Sequence, residues 1–233
     1  MRNQSRQWVL TLCLLGLWLL SSGLPLLSPA SVANAQEGEN LLLNPYFDHG
    51  YSPVANGIAP THWSVWGNAD NSDKEGLGTL THSPPYSWRF RKEWGLFTGG
   101  GYYTATVQPG PTYEFSLFAM IWTCDDEERA CRSEDSTFSH TDSGGRVRIG
   151  IDPTGGTNPH SGNIRWSEWR APFTWGVFDY ITVQATATGS QMTVFTYYTA
   201  DKAMRWHDVF WDDAALRAVS PANPPDNQDD DNT

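Results

Sequence analysis

Residues 112–122 read "TYEFSLFAMIW". Every second position, Tyr113, Phe115, Leu117, Ala119 and Ile121, is apolar or small, a period of two that belongs to a strand and not to a helix. The opposite side carries Phe118, Met120 and Trp122, so this strand needs either a cover on its second face or a ligand there. The same rhythm recurs on the C-terminal side. "RVRIGID" (146–152) turns Val147, Ile149 and Ile151 inward and Arg146 and Arg148 outward. "YITVQATAT" (180–188) and "QMTVFTYYT" (191–199) alternate likewise, and the Gly189-Ser190 pair between them predicts a tight hairpin. In "HDVFWDDAALRAV" (207–219), Val209, Trp211, Asp213 and Ala215 alternate with Asp208, Phe210, Asp212 and Ala214. No window sustains helical spacing, and about ten such runs lie between Leu41 and Val219, the density of a sandwich or jelly roll. The expectation is an all-β fold, a jelly-roll β-sandwich of two antiparallel sheets. The charged segment between Thr123 and Gly145 breaks the rhythm and reads as an elaborated loop at one end of it.

The two ends of the 233-residue chain do not belong to that fold. "MRNQSR" is a short basic start, "WVLTLCLLGLWLLSSGLPLL" an apolar core, and Ala33-Asn34-Ala35 a small-x-small site, so residues 1–35 read as a signal peptide cleaved after Ala35. The alternative is an uncleaved anchor, because the apolar run is nearly long enough to span a bilayer. "SPANPPDNQDDDNT" (220–233) can bury nothing and reads as a disordered acidic tail or linker. Residues 36–219 remain as the domain.

A formal charge of −11 argues against nucleic acid, and against an anionic membrane once the signal is removed, as partners. It fits a secreted or extracytoplasmic protein, with a cell-surface location compatible. Beyond the signal peptide only Cys124 and Cys131 are left, and in an exported chain a disulfide between them is the default. Closing so short a loop contributes about 2.5 kcal/mol on the chain-entropy estimate. The alternative, two free thiols, needs a reducing compartment, and no second pair exists to complete a zinc site.

Ten of the twelve tryptophans lie beyond the signal peptide. Most serve as core, since aromatic rings bury the most area per residue. The residues that period-two alternation leaves on an outer face, or that lie on glycine-rich loops, are the ones available to a ligand. These are Trp94 and Tyr102 in "KEWGLFTGGGYYTA", Trp122, Arg148, and Trp166 and Trp169 of "WSEW". Flat rings beside Arg, Asp and Asn suit a sugar, whose CH face packs on an indole while its hydroxyls take planar polar partners.

Catalytic signatures are weak. "TDSGG" (141–145) is too short a match to a serine nucleophile segment, and "DPTGGTNP" (152–159) lacks the Lys-Ser/Thr and the helix that a phosphate loop needs. Both read as turns. Glycoside hydrolysis requires two carboxylates flanking one bond, and Glu168 has no evident partner. The six histidines show no i, i+4 pair, so no transition-metal site is expected.

"NLLLNPYFDHG" (40–50) reads as a buried strand that stops on a carboxylate. Asp48 there is a solvated strand end, half of an acid pair, or a metal ligand. With "PTHWSVWG" after it, this stretch resembles the opening of secreted carbohydrate-binding modules of the galactose-binding-like jelly-roll type. "GYYTATVQPGPTYEFSLFAM" is similar to their centre, and "DVFWDDAAL" to their closing strand. The resemblance spans roughly residues 40–218. It implies a non-catalytic module that binds a polysaccharide or cell-surface glycan by aromatic stacking. Sugar-binding residues vary too much within this fold to be carried over, so the candidate contacts, Trp94, Tyr102, Trp122 and Arg148, rest on the face argument above. It further implies a structural calcium where the first and last strands meet, held by Asp48 and one or both of Asp212 and Asp213, with backbone carbonyls. Hard oxygen donors suit that ion, and acids from two strands repel unless a cation joins them. The alternatives in other classes are a structural or adhesive surface protein that uses the sandwich for protein contacts, and a glycosidase with Glu168 as one acid.

Overall fold

The computed structural model describes residues 38–125 and 139–219. The expected signal peptide (1–35), the acidic tail (220–233), most of the elaborated loop and Cys131 lie outside these residues.

Among the described residues the chain forms twelve strands in two stacked sheets. In chain order they are β1 (Tyr51–Val54), β2 (Gly57–Pro60), β3 (Ser64–Gly67), β4 (Asn71–Glu75), β5 (Ser87–Gly95) and β6 (Thr98–Thr106). There follow β7 (Thr112–Cys124), β8 (Arg146–Asp152), β9 (Arg165–Trp166), β10 (Asp179–Thr186), β11 (Gln191–Thr199) and β12 (Met204–Ala218). One sheet has seven strands in the order β1-β2-β4-β5-β12-β7-β10, the other five in the order β3-β6-β11-β8-β9. Pairing is antiparallel throughout except where Gly57 of β2 meets Ser72 of β4 in parallel. The fold is therefore the expected all-β jelly-roll sandwich, with one parallel contact that the sequence did not signal.

The alternation on β7 and β8 is realised. Tyr113, Phe115, Leu117, Ala119 and Ile121 face Val147, Ile149 and Ile151 within one core. Trp88 and Trp211 fill its centre without exposure. Trp88 fits because Gly101 faces it: a Cβ there would lie 2.1 Å from the indole Cη2. The second face of β7 has a cover. Met120, Trp122 and Cys124 form a separate cluster with Leu80 and Phe210, and Trp175 and Phe178 pack onto it.

Three expectations are corrected. Gly189-Ser190 does not close a hairpin, because β10 pairs with β7 in the larger sheet and β11 with β6 and β8 in the smaller. The loop between them crosses from sheet to sheet, tied by Ala187 N–H to the Pro111 carbonyl and Thr188 N–H to the Pro153 carbonyl. Residues 40–50 are not a strand either. Asn44 and Phe47 sit at positive φ, and the segment runs along β12 through Leu41 N–H to Leu216 O and Ala214 N–H to Pro45 O. Finally, the alternation of β12 breaks at a bulge between Asp212 and Ala215, with Asp213 at φ 49°. The extra residue moves the inward series from Val209 and Trp211 to Ala214 and Leu216.

His207 is buried within β12. Its Nε2–H donates to the Lys202 carbonyl (3.1 Å) and its Nδ1 accepts the Tyr198 hydroxyl (2.7 Å), which defines the neutral tautomer. Burial pulls its pKa down to about 4. The unfolded chain therefore binds the proton more readily, and stability present above about pH 6.5 is lost as pH falls towards about 4, by up to about 3 kcal/mol. Urea denaturation across that window should show this slope, and His207→Gln should flatten it.

Candidate functional site

The outer surface of the five-stranded sheet is paved with rings in two cross-strand rows. In the first, Tyr102 of β6 lies opposite Phe195 of β11, Phe195 opposite Gly150 of β8, and Gly150 opposite Trp166 of β9. Gly150 is what admits the indole, since a Cβ there would sit 2.5 Å from Trp166 Cε3. In the second row Trp66 of β3 faces Gly100, and Tyr197 of β11 faces Arg148 of β8. Trp66 reaches across Gly100 to Tyr197, with ring centroids 4.8 Å apart, and donates its indole N–H to the Thr196 carbonyl (3.2 Å).

Tyr197 is the hub. Trp166 and Trp169 each meet it edge-on at 5.4 Å, and His160 approaches Trp66 from the following loop at 5.8 Å. The Arg148 guanidinium sits 4.2 Å from the ring centroids of both Trp166 and Trp169 and 4.8 Å from that of Tyr197. Burial among these rings lowers its pKa, and the neighbouring charge of Arg146 acts in the same direction. Arg146 itself is bound to Asp201 at 2.7 Å. Trp169 is 37% exposed, and Trp66, Tyr102, Trp166 and Tyr197 are half-buried, so the rings present faces or edges to solvent while being held by one another. Such a surface offers flat apolar contact with charged nitrogen at its centre.

The four expected ligand contacts do not share one face. Tyr102 and Arg148 belong to this platform. Trp122 lies on the other sheet, is only 8% exposed, and is covered by Trp175 at 6.0 Å. Trp94, at the end of β5, is 59% exposed and pairs with Arg205 at 5.7 Å, also on the larger sheet. Alternation put Trp122 outside the core correctly but could not reveal the loop that shields it. Trp66, His160, Phe195 and Tyr197 also belong to the platform and were not singled out from the sequence. The signal for Phe195 and Tyr197 was available in the outward positions of "QMTVFTYYT", and Gly150 within a strand marked a close approach. Glu168 is exposed beside the platform.

A second polar cluster lies where residues 40–51 and 82–83 meet β12. Asp212 is fully buried; its Oδ2 accepts the backbone N–H groups of His82 (2.9 Å) and Ser83 (3.0 Å). Burial nevertheless pushes its pKa up to about 7. The Tyr51 phenol, which donates to the Phe47 carbonyl at 2.7 Å, is pushed up by burial and then by the charges of Asp212, Asp73 and Asp48. Acids from three segments thus bear on one hydroxyl. Asp48 is paired with His49 at 2.5 Å. Asp213 points elsewhere: its Oδ2 accepts the Ser83 hydroxyl (2.6 Å) and lies 2.5 Å from His82 Nδ1, while its buried Oδ1 has no partner. Among the described residues no three His, Cys, Asp or Glu side chains converge as a ready-made metal cluster. Both oxygens of Asp212 are taken by backbone N–H groups, its Oδ1 by that of Asp213 (2.8 Å), so the acceptor left free here is the buried Oδ1 of Asp213. Cys124 is buried at the end of β7.

Fold and platform together define a jelly-roll β-sandwich with a ring-paved sheet face. The fold is that of carbohydrate-binding modules. TmCBM61, solved in complex with β-1,4-galactotriose, is similar with a TM-score of 0.52 and 14% identity, over 78% of this chain and 99% of that one. The arabinose-bound α-L-arabinofuranosidase MgGH51 gives 0.49 at 17% identity, over 82% of this chain and 28% of that one. The tandem CBM22-1–CBM22-2 domain of Paenibacillus barcinonensis Xyn10C gives 0.48 at 14%, over 84% of this chain and 50% of that one. At such identities the likeness is one of fold. No family model matches the sequence, and no curated protein matches it.

Proposed function

We propose that the protein is a secreted, non-catalytic glycan-binding module whose site is the outer face of the five-stranded sheet. The observation that carries this reading is the platform of Trp66, Tyr102, Trp166, Trp169 and Tyr197 around Arg148. Pyranose CH faces stack on such rings, and the planar guanidinium donates to hydroxyls. TmCBM61, which has this fold, binds β-1,4-galactotriose, so galactan fragments are the first ligands to try. Trp94 and Trp122 fall outside this site.

Two staples complete the proposal. Asp48 and one or both of Asp212 and Asp213 hold a calcium ion that ties residues 40–50 to β12, carboxylate oxygens being the hard donors that ion takes. A Cys124–Cys131 disulfide closes the loop after β7.

The deciding experiment is calorimetric titration of β-1,4-galactan, xylan and arabinan oligosaccharides into the protein. Micromolar to millimolar binding of at least one supports the reading. Absence of binding across a broad panel, with the fold intact, would leave the sandwich as a scaffold for protein contacts.

A further inference from the structure

Among the described residues Arg148 is a cation without a counter-ion. Among the described residues no carboxylate forms an ion pair with it, and its Nε is buried with no hydrogen-bond partner. The acids around it are otherwise disposed: Asp201 binds Arg146, Asp152 accepts the N–H and hydroxyl of Thr154, and Glu168 is exposed without reaching Arg148. The rings of Trp166, Trp169 and Tyr197 hold the guanidinium in place by its flat surfaces. Ring contacts of that kind leave the fork of N–H donors at the guanidinium edge unspent. Arg146, two residues away on the same strand face, is paired with Asp201, whereas Arg165 and Arg170 lie opposite the inward-facing Ile151 and Val147 and so fall on the other side of the sheet.

Neutral hydroxyls do not require such an arrangement. A carboxylate does, because it accepts two parallel N–H bonds from one guanidinium. Resting on the glycan-binding reading above, we propose that this face selects glycans bearing uronic acid residues, with the sugar ring on Trp166 or Trp169 and its carboxylate on Arg148. The overall negative charge repels a polyanion at a distance, so the preference is a contact effect and survives about 0.15 M salt, where long-range terms are screened.

The test is isothermal titration with polygalacturonate, the same polymer fully methyl-esterified, glucuronoxylan with and without its glucuronate groups, neutral β-1,4-galactan, and a sulfated galactan. The expected result is at least tenfold tighter binding of the uronate forms than of their esterified or stripped counterparts, and of the sulfated galactan. Arg148→Gln should bring the charged-to-neutral affinity ratio towards one, and Arg148→Lys should recover only part of it, since an ammonium lacks the fork. A purely structural role for Arg148 would weaken charged and neutral ligands together and leave the ratio unchanged, which overturns the inference. Equal affinity for uronate and esterified polymer, with galactan bound, overturns it while leaving the broader reading intact. Sulfated galactan bound as tightly as uronate overturns the carboxylate assignment. Binding of none of these ligands overturns both.

Discussion

The Trp166→Ala/Trp169→Ala double variant loses glycan binding by at least a hundredfold while keeping its fold. The two indoles flank Arg148 and lean on Tyr197, so they set both the stacking surface and the position of its central cation. Central tryptophans in binding sites cost about 2 kcal/mol or more each when truncated, and two together are worth roughly a thousandfold if additive. Truncation also frees the guanidinium, so the loss includes disordering of what remains. The fold should survive because neither indole belongs to the core between the sheets. Affinity by calorimetry, with far-UV circular dichroism as control, reads both quantities. Binding within threefold of the parent would place the site elsewhere.

Removal of the proposed calcium is the second large expected effect. An ion that binds only the folded state, present at 100 to 1,000 times its dissociation constant, stabilises by about 3 to 4 kcal/mol. For a domain of this size that is about 6 to 16 °C in melting temperature. Chelation should therefore lower the melting temperature by that amount, and Asp212→Asn should abolish the response. Asp212 must lose its proton to serve as a ligand, and burial holds its pKa near 7. The calcium-dependent gain should thus be larger at about pH 8 than at about pH 6. Asp213→Asn should weaken the response as well, since the buried Oδ1 of that side chain has no hydrogen-bond partner. A melting temperature unaffected by chelation at both pH values would remove calcium from the account.

How much was legible in the sequence follows from which forces are local. Side-chain alternation is local, so the faces of β7 and β8 and the sandwich class could be read from "TYEFSLFAMIW" and "RVRIGID". Strand partnership is not local. Gly189-Ser190 has hairpin chemistry, yet β10 and β11 find their partners in different sheets, and tertiary pairing overrides the turn signal. The bulge in β12 was likewise hidden, because "FWDDAAL" alternates plausibly with or without an inserted residue. The platform is the most non-local feature. Its rings come from β3, β6, β9, β11 and the segment after β9, and only the five-stranded order brings Trp66 beside Tyr197. Tyr102, Arg148, Trp166 and Trp169 could be named as candidates one at a time. That four of them share a face, and that Trp94 and Trp122 do not, depended on which sheet each strand joined.

The indole N–H resonances of the ten tryptophans after residue 35 offer the most direct test of the central claim, that the five-stranded face is the glycan site. Titrating ¹⁵N-labelled protein with a bound oligosaccharide should shift Trp66, Trp166 and Trp169 and leave Trp88, Trp94, Trp122 and Trp211 in place. Shifts confined to Trp94 or Trp122, with the platform silent, would contradict the account.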